Sequence, residues 1–203
     1  MALDLAKMYD WIVAEVARPS SVAESMSRLI DQCEAARPHS DWARFRALPF
    51  GDLDSLVGWL RRLFITEPYD RPLRGLWFGL FNPCNDDEPI ADIYVCGSER
   101  FEPDPRSNEW AVGAEWRPEA RYAGSPILAE LYRIAYRDNA LKNDAEYPLC
   151  LGCAAFAVRH VLTMVEPSLI LGTADSLGVA VGFDSGDFIL LGELGPQGVA
   201  NCI

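Results

Sequence analysis

Apolar residues in the first third of the chain recur at helical spacing. Leu5, Met8, Trp11, Ile12 and Val16 line one face until Arg18-Pro19 interrupts it. Ser20 or Ser21 can cap the next helix, and Glu24 stands three residues after Ser21, the spacing of a capping box. Val22, Met26, Leu29, Ile30 and Cys33 then share a face that ends before Pro38. A short helical piece covers 41–47, and Asp52 or Asp54 can cap a further helix through Leu56, Trp59, Leu60, Leu63 and Phe64. From Leu76 the period changes. Leu76 to Phe81 is an almost wholly apolar run bounded by Gly75 and Asn82-Pro83, as in a strand buried on both faces. Residues 85–89 read as a turn, and Ile90 to Cys96 as the partner strand. Phe101 to Tyr122 carries Pro, acids and aromatics and reads as a long ordered loop, anchored by Trp110 and Trp116. Ser125-Pro126 starts a helix. Residues 143–146 read as a break before Pro148 opens a second helix, 149 to about 165, apolar on nearly every side and so central. Gly178 to Phe183 and Phe188 to Leu191 form a tight hairpin, with Gly186 expected at positive φ.

These elements predict an α+β fold in one domain, 1–203. Residues 1–74 form a helical part and 75–203 a sheet-containing acidic part. A small, largely antiparallel sheet from two hairpins should pack with the apolar helix. Nearly continuous apolar strands imply that both sheet faces are covered.

Charge sharpens the picture. The 203 residues carry 30 acids and 18 Lys or Arg, a net of −12. Residues 1–74 hold 11 acids and 10 bases, and 75–203 hold 19 and 8. The stretch 83–119 alone holds 10 acids against Arg100, Arg106 and Arg117. Such a balance argues against a nucleic-acid partner. No uncharged run reaches the roughly 18–20 residues that span a bilayer, and no basic-then-apolar leader pattern precedes Asp4 and Asp10. A cytoplasmic protein with no membrane partner is the expectation.

Candidate chemistry is sparse. Cys150-Leu-Gly-Cys153 is a CxxC placed by this reading at a helix start, where a thiol pKa can fall. Its neighbours Leu149, Leu151, Ala154 and Phe156 favour packing instead. Cys84, Cys96 and His160 have no zinc-site spacing, and His39 and His160 match no Cys–His nucleophile signature. No nucleophile elbow, P-loop, zincin or dinucleotide motif is present. No cofactor and no metal are expected. Asp184 and Asp187 share one hairpin tip, and Asp86, Asp87 and Glu88 the other.

The acidic balance, the opening helices and the closing hairpin Gly178-Val-Ala-Val-Gly-Phe-Asp-Ser-Gly-Asp-Phe-Ile-Leu-Leu-Gly192 make the chain similar to bacterial immunity proteins of polymorphic and contact-dependent toxin systems. That resemblance implies stoichiometric inhibition of a basic toxin domain through an acidic surface. The expected contacts are Asp86, Asp87, Glu88, Glu99, Glu102, Asp104, Trp110, Trp116, Asp184 and Asp187. Two alternatives stay open: a small hydrolase using the carboxylates or the Cys150 and Cys153 thiols, and an assembly subunit pairing through a strand edge.

Overall fold

A computed structural model describes residues 2–81, 84–85, 88–89, 91–184 and 186–200, with only the backbone of 84–85 and 88–89. Four helices come first: α1 (Leu5–Val16), α2 (Val22–Ala36), α3 (Trp42–Arg46) and α4 (Asp54–Thr66). Ser21 caps α2 in a full capping box with Glu24. Neither Asp52 nor Asp54 caps α4. Its N-cap is Leu53, and Asp54 lies inside the first turn, where its charge faces the positive end of the helix dipole.

The fold is α+β, with seven helices and a six-stranded mixed sheet among the described residues. The strands are β1 (Gly75–Phe81), the two-residue pair β2 (Cys84–Asn85) and β3 (Glu88–Pro89), β4 (Asp92–Ser98), β5 (Tyr122–Gly124), β6 (Leu177–Phe183), β7 (Phe188–Gly195) and β8 (Gly198–Ala200). Across the main sheet they run β5-β4-β1-β6-β7-β8. Both expected hairpins form, β1 with β4 and β6 with β7. The parallel pair β1–β6 fuses them into one sheet.

Helices α5 (Pro126–Tyr136), α6 (Asn143–Met164) and α7 (Pro167–Leu171) complete the chain. Ser125 caps α5, with Pro126 in the first turn. Residues 143–146 are not a break: α6 begins at Asn143, and Pro148 lies inside it. Pro148 is its sixth residue, past the first turn, so the helix forgoes the bond that an amide there would make to the Asp144 carbonyl. Asp144 and Glu146 suit the first turn, and Arg37 pairs with Asp144 across from the end of α2. Pro167 does not merely end a helix. It opens α7.

The main core gathers α1, α2, α4 and α5 around α6, on one face of the sheet. By length and hydropathy α6 could cross a membrane, but 72% of that stretch is buried inside the fold, as befits a core helix. The other sheet face is covered by the long connection between β4 and β5. A second apolar cluster forms there from Trp77, Cys96, Trp110, Ala114, Ala180 and Phe188. Trp116 bridges the backbone of Gly97 and donates its indole N–H to Glu67 O at 2.9 Å. Trp59 donates to Ala120 O at 2.9 Å. The connection is thus tied to α4 as well as to the sheet.

Candidate functional site

Among the described residues, the expected acidic side chains have different partners. Glu99 accepts from the Tyr69 hydroxyl at 2.7 Å and pairs with Arg71 Nη1 at 2.7 Å. Asp104 is held by Arg106, whose guanidinium and backbone N–H lower its pKa. Arginines of the same chain therefore neutralise two of the ten expected contacts. Glu102 stays exposed with no side-chain partner among the described residues. Asp86, Asp87 and the Glu88 side chain lie outside the described residues. Asp184 and Asp187 diverge from their shared tip. Asp187 turns toward α1 and α6, accepting from Tyr147 Oη at 2.5 Å beside Tyr9 and Asp10. Asp184 turns toward the face covered by the long connection, where the Tyr94 hydroxyl donates to its Oδ1. The conformation expected of Gly186 depends on Ser185, which lies outside the described residues.

Trp110 and Trp116 are 4% and 5% exposed, so as contact residues they have no free face. Each is held by aromatic packing. Trp116 stacks on Phe64 at 4.8 Å, and Trp110 meets Trp77 and Phe101 edge-on at 6.5 and 5.0 Å. Their role is the loop anchoring expected of them.

The aromatic residues that do reach solvent are others. On the strand face away from α6, Tyr94 stands opposite Gly79 on one side and Tyr122 on the other. Gly79 is required there, because a Cβ on it would fall 2.1 Å from the Tyr94 ring. The ring therefore lies across β1. Its hydroxyl accepts from Trp77 Nε1 at 3.2 Å and donates to Asp184. Tyr122 lies 5.6 Å from Tyr94 and 5.5 Å from Phe81. Phe81 and Tyr122 are 37% and 42% exposed. The result is an aromatic strip, Phe81–Tyr122–Tyr94–Trp77, exposed at one end and closing at Asp184.

At the closed end lies a pocket of about 130 Å³. Trp77, Tyr94 and Cys96 of the sheet, Asp184 of the β6–β7 turn, and Asn108, Ala111 and Val112 of the connection bound it. Burial, then the bond to Asp184, raises the Tyr94 pKa, so its hydroxyl remains a donor. Burial pushes the Cys96 thiol up to about 11, against the weaker pull of Arg117. Neither group is set up as a nucleophile or base at neutral pH. Asp184 Oδ2 makes no hydrogen bond among the described residues. An uncommitted carboxylate oxygen beside aromatic faces is a seat for a guanidinium or ammonium group. Farther along the strip the chain places a guanidinium of its own on an aromatic face: Arg121 Cζ lies 4.8 Å from the Tyr122 ring centre.

The CxxC pair has a different fate. Because α6 starts at Asn143, Cys150 is well inside the helix, beyond reach of its N-terminal dipole. Burial raises the Cys150 pKa strongly and pushes that of Cys153 up to about 12. Cys153 lines a mostly apolar cavity of about 150 Å³ with Leu56, Ile93 and Pro126, whereas His160 lines a separate one. His39 accepts from the backbone N–H of Asp41 at 3.2 Å. No Cys–His dyad forms among the described residues.

Of the expected contacts among the described residues, only Asp184 enters this pocket. Phe81, Tyr94 and Tyr122 escaped sequence reasoning, although the alternation of Trp77, Gly79 and Phe81 held a signal: a glycine between two aromatics on one strand face leaves room for a neighbouring ring. No protein-family profile, curated protein sequence or solved structure matches the chain.

Proposed function

We propose that the protein is a non-enzymatic binding module that docks a basic protein partner, an immunity-type inhibitor acting by stoichiometric binding. The reading is carried by one coincidence: the exposed aromatic strip runs into the pocket where Asp184 Oδ2 has no hydrogen-bond partner among the described residues. An arginine or lysine side chain of the partner fits this end, with its stem along Tyr94 and its charge on Asp184. Exposed Val112 and Glu109 extend the contact on the side of the connection, and Phe81 and Tyr122 extend it along the sheet. The net charge of −12 adds long-range steering, so association is fast at low salt and slows as salt rises. Protonated, buried thiols favour this reading over thiol catalysis.

The test compares capture of native partners by the wild type and by an Asp184→Lys, Tyr122→Ala double variant at low salt. The expected result is a basic protein held by the wild type at one-to-one stoichiometry and lost by the variant. The purified partner should carry an enzymatic activity that an equimolar amount of this protein stops. Identical capture by both forms, or turnover of a substrate by this protein alone, overturns the proposal.

A further inference from the structure

Where α4, α5 and α6 meet the β4–β5 edge of the sheet, a mostly apolar cavity of about 150 Å³ opens. It shares no lining residue with the Asp184 pocket. Its inner wall is buried: Ile93 of β4, Leu128 of α5, and Cys153 and Ala157 of α6. Leu56 of α4 and Ile127 of α5 are only partly buried, so the apolar lining continues to the surface and gives a way in. The polar part of the lining points to an uncharged guest. Among the described residues that line the cavity, Asp52 alone is charged, and it is exposed, as is Ser55. The Ser125 hydroxyl is engaged as the N-cap of α5, accepting from the Leu128 N–H at 3.3 Å. Burial pushes the Cys153 thiol up to about 12, so no thiolate faces the space at neutral pH. An ion or a sugar would leave its polar groups unpaired against the inner wall.

We propose that this cavity binds a small uncharged aromatic molecule of benzene size. An apolar cavity of about 150 Å³ in a protein core is large enough to take benzene and stays dry without it. Protein interiors hold few voids larger than a water molecule. A guest in such a space therefore supplies the dispersion contacts that its walls lack. The polarisable Cys153 sulfur on the inner wall favours an aromatic ring over a saturated one.

The test is an amide NMR titration of the ¹⁵N-labelled protein, with benzene, cyclohexane and benzoate as separate arms. Saturable shifts confined to Ile93 and residues 53–56, 124–128 and 153–157 are expected with benzene, weaker binding with cyclohexane, and none with benzoate. Intermolecular NOEs from the benzene protons should reach the methyl groups of Leu56, Ile93 and Leu128. Ala157→Leu, which places extra methyl groups in the cavity, should weaken benzene binding about tenfold. If that variant does not fold, the NOEs decide alone. Absence of saturation, NOEs to other parts of the molecule, benzoate or cyclohexane binding as tightly as benzene, or unchanged benzene binding in folded Ala157→Leu overturns the proposal.

Discussion

Tyr94 shows how much of the proposed docking site depends on single atoms. Its ring needs the bare Cα of Gly79, and its hydroxyl joins Trp77 to Asp184. Gly79→Ala should cost about 1–3 kcal/mol through overpacking. Because the ring must move, the same change should also disturb the indole environment of Trp77. Urea unfolding and tryptophan fluorescence check both effects, and an unchanged midpoint contradicts the close approach. Trp110 offers a second test. Its ring is buried, but its Nε1 has no hydrogen-bond partner among the described residues. Trp110→Ala should cost about 3–5 kcal/mol. Trp110→Phe should cost far less, because it removes an unsatisfied N–H along with part of the ring. Equal losses for the two variants, measured by urea midpoint, would mean that the N–H is bonded after all.

Helices and strands differ in how openly the sequence announces them. Ser21 with Glu24, and Ser125 with Pro126, are local signals, and each helix start lies where they place it. Ser21→Ala should cost about 1 kcal/mol, read as a lower urea midpoint with an unchanged slope. The start of α6 was not legible. Pro148 looks like an opening residue, but the first turn is set by the acids ahead of it and by Arg37, more than a hundred residues earlier. The packing of α6 on α2 was equally hidden. It rests on Gly152, where a Cβ would fall 2.5 Å from Leu29 Cδ2. The hairpins were visible from their apolar runs, but the parallel pairing of β1 with β6 joins segments about a hundred residues apart and leaves no local mark. For the same reason the docking site was only partly foreseen. Asp184 stood out as a turn acid, yet which way it and Asp187 point depends on the covering of each sheet face. Likewise the pairing of Arg71 with Glu99 crosses from the end of the helical part to the end of β4.

At the scale of the molecule, burial and charge set two behaviours. Cys33, Cys96 and Cys153 have thiols pushed up to about 12, 11 and 12, and Tyr94 and Tyr147 are raised above their ordinary value of 10.0. All of these groups hold their protons more tightly folded than unfolded. Their contribution to stability is complete at pH 7. It declines once the pH passes the unfolded thiol value near about 8.5, and declines further beyond about 10 as the tyrosines join. Urea midpoints should therefore fall steadily across this alkaline range, and a flat profile contradicts the buried thiols. The second behaviour is recognition. Arginines of the same chain neutralise part of the acidic excess, so attraction is broad but the seat is narrow. Titration of the ¹⁵N-labelled protein with a tetra-arginine peptide, against tetra-glutamate as control, tests this most directly. The prediction is that shifts with tetra-arginine cluster on Trp77, Tyr94, Val112, Tyr122 and Asp184, weaken at high salt and vanish in Asp184→Asn. Shifts spread evenly over the acidic surface, or left unchanged by Asp184→Asn, contradict the account.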